Sequence, residues 1–225
     1  MGISNLVSDQ FYEIGYALWF LAAGRTGWSP SGETRERMRS ILETYRRAGI
    51  CPFGLLAVWN PILDVPFDVE KELTQCLRSQ NEQCAYGAYE SIACAARYSS
   101  HSLLSEEELQ NGVTILAQKI MWGAPGQLDS ALQAAITVLN YRPDLITENI
   151  LEALLTELAL LRQQTLIDAN DTMSTASEKG RFRMSAAALA ERLRQAGLYG
   201  SRPDILEDWA AISRDPNEFA EIRNV

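Results

Sequence analysis

The spacing of apolar residues between Gln127 and Gln163 is what most constrains this chain. Leu128, Leu132, Ala135, Ile136 and Leu139 recur at steps of three and four, as do Ile150, Leu151, Leu154, Leu155, Leu158 and Leu161. Such steps line up side chains on one stripe of a helix, whereas a half-buried strand alternates every second residue. Between the stripes lies Tyr141-Arg142-Pro143-Asp144. Pro143 lacks a backbone donor and biases Arg142 away from helical dihedrals, and Thr147 offers a hydroxyl to cap the next helix. The spacing predicts two helices folded back on each other as a hairpin.

The pattern recurs upstream. A shift of 43 positions lays Ala88, Tyr89, Ala93, Ala96 and Tyr98 over Ala131, Leu132, Ile136, Leu139 and Tyr141. A shift of 42 lays Ser105, Leu109, Val113, Leu116 and Ala117 over Thr147, Leu151, Leu155, Leu158 and Ala159. Ser105 and Glu108 fit a capping box, in which each side chain answers the other's free backbone amide. A helical pair repeating every ~40 to 47 residues resembles the units of HEAT-like and armadillo-like arrays, which stack because one unit cannot bury its apolar face alone. The resemblance covers roughly 83–225 and implies an all-α fold, a short HEAT-like solenoid. HEAT repeats often carry an aspartate in the turn and a branched apolar residue followed by arginine, matched at the chain end by Asp215, Ile222 and Arg223. Asp144 keeps the acidic turn residue, but no such dipeptide lies near Leu151. The last helix stops mid-pattern, so the expectation is that the chain end packs on a partner or that the natural sequence runs on.

Upstream of the repeats, the reading is an irregular N-terminal helical segment, 1–82, packed on repeats at 83–225 within one continuous domain. Phe11 to Ala23 is apolar but only 13 residues long, contains Glu13 and has no basic residue before Arg25. It is too short to span a bilayer and lacks the basic start of a leader, so it reads as a buried helix in a cytoplasmic protein. Gly24 to Gly32 is a breaker-rich loop holding Trp28. Glu33 to Ala48 comes next as a helix with Met38, Ile41, Leu42 and Tyr45 inward and Glu43 spaced to pair with Arg47. Ile50 to Val69 carries three prolines among bulky apolar residues and resists assignment, and Asp68 opens a helix to about Gln80. Past the central hairpin, 164–180 is polar enough to read as a long mobile loop. Beyond it lie two short helices, Met184 to Ala196 and Asp204 to Ile212.

The formal net charge is -9, against a protein that coats nucleic acid over its whole surface. The cations are nevertheless segregated: six of the 20 basic residues lie between Arg25 and Arg47 and six between Lys179 and Arg202. Candidate nucleic-acid or partner contacts are therefore Arg35, Arg39, Arg46, Lys179, Arg181, Arg183, Arg192 and Arg194. Trp28, Phe219 and Ile222 are candidate protein-partner contacts. The 17 arginines against three lysines point to a GC-rich genome and a bacterial source.

Motifs for chemistry are lacking. Cys51, Cys76, Cys84 and Cys94 have no zinc-site spacing, and reduced buried thiols are expected. There is no G-x-S-x-G, H-E-x-x-H or phosphate-binding loop. His101 is the one histidine and sits in a serine-rich turn. Glu106, Glu107 and Glu108 fall in the first turn of a helix, where the macrodipole favours negative charge. The sequence thus implies a protein with no catalytic residues, cofactor, metal or small-molecule substrate, a scaffold or adaptor that binds other protein subunits. The alternative is a nucleic-acid-binding HEAT-like protein using 25–47 and 179–202, as in a class of DNA glycosylases that this chain resembles in size and helical repeats but not in any active-site motif.

Overall fold

The computed structural model describes residues 30–47, 63, 68–78, 82–97, 104–122, 125–167 and 170–214. All regular structure among them is helical. We label the α-helices α1 (Gly32–Arg47), α2 (Val69–Arg78), α3 (Glu82–Arg97), α4 (Glu106–Trp122), α5 (Pro125–Tyr141), α6 (Glu148–Gln164), α7 (Met173–Gln195) and α8 (Pro203–Arg214), with a 3-10 turn at Pro143–Leu145. The chain divides into two compact units, Met1–Leu109 and Gln110–Val225. The 82/83 division read from the sequence falls in the first turn of α3, which packs on α2 within the first unit.

In the first unit, the Ser31 hydroxyl accepts from Thr34 N at 3.2 Å and the Asp68 carboxylate from Lys71 N at 3.0 Å, starting α1 and α2. Glu43 pairs with Arg47 at 3.1 Å, as its spacing predicts. Met38 and Leu42 of α1 are buried, as are Leu73, Cys76 and Leu77 of α2. Cys76 is a fully buried thiol. On α3, Ala85, Ala88, Ala95 and Ala96 are buried beside Tyr89, and Ser91 Oγ donates to the Gly87 carbonyl at 2.8 Å. The capping box ahead of α4 forms in both directions: Ser105 N donates to Glu108 Oε2 at 2.7 Å, and Glu108 N to Ser105 Oγ at 3.2 Å.

The second unit is built around a helix that the sequence conceals. Residues 173–180 are not loop but the first two turns of α7, whose Thr172 cap accepts from Thr175 N at 3.2 Å. The expected loop therefore ends at Thr172. Its polarity misleads because Met, Ala, Glu and Lys are good helix formers and the segment continues into the buried turns from Phe182 onward, which anchor it. Along α7, Phe182, Arg183, Ser185, Ala186, Ala187, Leu189, Ala190 and Leu193 are buried, leaving Arg181, Met184, Ala188, Arg192 and Gln195 as a narrow exposed stripe. Three helices, α5, α6 and α8, pack against it, and α8 also touches α6. The alanines let backbones approach closely, so burial is broad without a stripe of large apolar residues.

The elements of the expected hairpin are present. Both helices and the turn are where the spacing puts them, and Leu132, Leu139, Ile150, Leu151, Leu154, Leu155, Leu158 and Leu161 are buried. Both α5 and α6 take α7 as a neighbour. The turn itself is pinned by Arg142, whose guanidinium grips Asp144 at 2.8 to 3.1 Å. That hydrogen-bonded pairing lowers the Asp144 pKa. Thr147 occupies the cap position of α6, but its side chain makes no cap bond.

Candidate functional site

At the α6–α7 connection of the second unit a cleft of about 280 Å³ opens. Its apolar lining comes from Ile120 of α4, Leu128 of α5, Leu161 of α6 and Phe182 of α7. Gln164, Thr165, Thr175, Glu178 and Lys179 supply polar groups, and Glu157 reaches in from α6. The Lys179 ammonium is held by both Asp171 oxygens at 2.8 Å and by the Leu166 carbonyl at 3.0 Å, so its charge is answered within the chain. Thr165 Oγ1 donates to the Leu161 carbonyl at 2.5 Å, an internal bond of the α6 C-terminus.

Glu157 stands apart. It is 4 % exposed, and its Oε2 has neither solvent contact nor a hydrogen-bond partner among the described residues. Burial disfavours the charged form and pushes its pKa up to about 7. A carboxyl group placed this way is held as a neutral acid in mildly acidic solution and becomes an uncompensated anion above neutrality.

Sequence inspection passed Glu157 over, although a signal existed. Ile150, Leu154, Glu157 and Leu161 succeed one another at steps of four, three and four, so a carboxylate occupies the apolar stripe of α6. An acid in a buried stripe is the feature to question.

Behind the cleft, a polar knot ties α6, α7 and α8. Arg183, 5 % exposed, donates to the Arg162 carbonyl at 3.2 Å and to Thr165 Oγ1 at 3.3 Å. Its guanidinium carbon lies 5.6 Å from the Trp209 ring centroid. Trp209, fully buried, donates its indole N–H to the Leu158 carbonyl at 3.0 Å. On the outside Arg162 pairs with Asp208. Ser185 joins α7 to α5, donating to Asp129 Oδ1 at 2.5 Å and accepting from Gln133 Nε2 at 3.0 Å.

The cations proposed from sequence fall in separate units and are mostly engaged internally. In the first unit Arg39 pairs with Glu36 at 2.6 Å, and Arg35 Nε donates to the Pro30 carbonyl at 3.3 Å. Arg46 lies on α1, but its side chain is outside the described set, as are Trp28, Phe219 and Ile222. In the second unit Arg183 is buried, and Lys179 pairs with Asp171 and Arg194 with Glu191, each at 2.8 Å. The Arg194 and Gln195 hydrogen bonds pull the Glu191 pKa down to about 2. Arg192 bonds the Gln195 amide oxygen at 2.8 Å, while Arg181 is exposed. Among the described residues of α7, only Arg181 and Arg192 thus point outward without a carboxylate partner. Among the described residues there is no group of three or more potential metal ligands, and no helix is long and apolar enough to cross a membrane.

No family model, curated protein or solved structure matches the chain.

Proposed function

We propose that this chain is a non-catalytic binding subunit whose partner is another protein, presenting an apolar surface at the α6–α7 connection. The observation that carries the reading is a contrast at that connection. Large apolar side chains stand in solvent there, with Leu160 46 %, Leu166 49 % and Met173 73 % exposed, while the neighbouring cations are bound to the chain's own carboxylates. Exposed large apolar groups are candidates for protein contacts, whereas nucleic-acid binding needs cations free to neutralise phosphates.

The HEAT-like resemblance enters as part of this proposal. The succession of helix, turn and helix at 83–122 and 127–163 is read as two units of a short array. Within the second, α7 lies against both helices, and the surface offered to a partner is made by α6 and the start of α7.

Two double variants test the proposal. The chain is used as bait in an extract of its native host, with nuclease present and at two salt concentrations. A stoichiometric protein partner should be retained by R181E/R192E and lost by L166E/M173E. Recovery of nucleic acid that R181E/R192E abolishes would replace this reading with the nucleic-acid one.

A further inference from the structure

The cleft at Glu157 opens beside the proposed protein-binding surface, but that proposal does not use its carboxyl group. Its shape and chemistry nevertheless describe a ligand. Ile120, Leu128, Leu161 and Phe182 give it apolar walls. Glu157 adds a carboxyl group 4 % exposed with an unpartnered oxygen, and Glu178 a second acid. The cation in its described lining, Lys179, is matched by Asp171. The local balance is therefore negative, as is that of the chain as a whole. A buried carboxylate is stabilised by a cation that also donates hydrogen bonds, and an ammonium group does both. A leucine in its place would complete the α6 stripe without leaving a polar atom unpaired.

The geometry points to a binding site for a small alkylamine, its ammonium drawing the covered Glu157 carboxyl group toward the cleft and donating to it, and its hydrocarbon body lying along the Leu128, Leu161 and Phe182 walls. A cleft of about 280 Å³ falls just below the ~300–1,000 Å³ spanned by small-molecule pockets. An amine of about six carbons suits that space. The same ammonium chemistry occurs on lysine side chains, but a cleft in which the carboxyl group is this deeply covered favours a free amine over a residue tethered to a backbone.

The test is isothermal titration of the full chain at pH 8 with hexylammonium, hexanol, hexanoate and a blocked tetrapeptide containing one lysine. Hexylammonium is expected to bind saturably at one site per chain, at least about tenfold tighter than hexanol, a factor of ten being 1.4 kcal/mol, with hexanoate silent and the peptide weaker than the free amine. Glu157→Gln, isosteric and checked for folding by helical circular dichroism, should lose that selectivity for the ammonium. Thr175→Tyr, which places bulk at the exposed mouth, should block all binding. Equal binding of hexylammonium and hexanol, unchanged affinity in Glu157→Gln, or no saturable binding would overturn the assignment. A peptide that binds more tightly than hexylammonium would overturn the small-molecule source.

Discussion

Arg183 lies inside the second unit with its guanidinium carbon 5.6 Å from the centre of the Trp209 ring. It belongs to a run of cations that reads as a surface, yet it joins α7 to the carbonyl and hydroxyl groups at the end of α6. A planar guanidinium can stack on an indole and still donate in its own plane, which a lysine ammonium cannot imitate.

Arg183→Ala should therefore destabilise the chain by about 2–4 kcal/mol, since it leaves polar groups unpaired and opens space beside a buried tryptophan. Arg183→Lys should recover less than half of that loss. Urea unfolding monitored by tryptophan fluorescence reads both.

The turn between α7 and α8 gives a graded pair. Gly200 has φ of +56°, and a Cβ there would lie 2.5 Å from Leu155 Cδ1 and 2.8 Å from Glu152 Oε1. Glu152 also holds Ser201, accepting from its backbone N at 2.7 Å and its hydroxyl at 2.6 Å. Gly197 has φ of +72° but open space around it. Gly197→Ala should cost about 1 kcal/mol for the left-handed backbone alone, and Gly200→Ala about 2–4 kcal/mol because steric conflict adds to it. Thermal melting should place the two variants in that order.

Much of the second unit can be read in the sequence because large apolar residues at helical spacing have one physical outcome. Leu132, Leu154, Leu155 and Leu158 are buried as their spacing requires, and the Ser105–Glu108 capping box forms between the named atoms. Two things escaped. The first two turns of α7, 173–180, carry little apolar contrast and bury only Gly180, so they read as loop although the helix continues into Phe182, Leu189 and Leu193. That α7 packs on both α5 and α6 was not legible, because a stripe says that a face is covered and not by what. Glu157 was legible as an acid within a stripe, but whether such a group is paired is decided by side chains from other helices.

Leu155→Asp and Leu160→Asp separate the covered face from the open one. Leu155 is fully buried and Leu160 is 46 % exposed. The first should lose at least about 3 kcal/mol by burying an unpaired charge, the second less than about 0.5 kcal/mol. Denaturant midpoints check both.

Stability should depend on pH through Glu157. Its folded pKa of about 7 lies above the ordinary carboxylate value, so between the two the native state holds a proton that the unfolded chain has released. Stability contributed by this group is present in acid, falls as pH rises through that window and is fully lost above about pH 7. Glu157→Gln removes the dependence. It should be more stable than the parent by roughly 2–3 kcal/mol at pH 8 and indistinguishable from it at pH 4. Parallel urea titrations at the two pH values read the difference.

Both the apolar contact surface and the Glu157 cleft exist only if α7 is one continuous helix from Met173. Hydrogen exchange of the full chain, read by mass spectrometry over 164–196, measures this directly. The structure predicts slow exchange of the amides from Ala176 through Leu193, at rates close to those of α6. Exchange at unstructured-peptide rates as far as Arg183 would contradict the account, leaving a loop where both proposed surfaces need a helix.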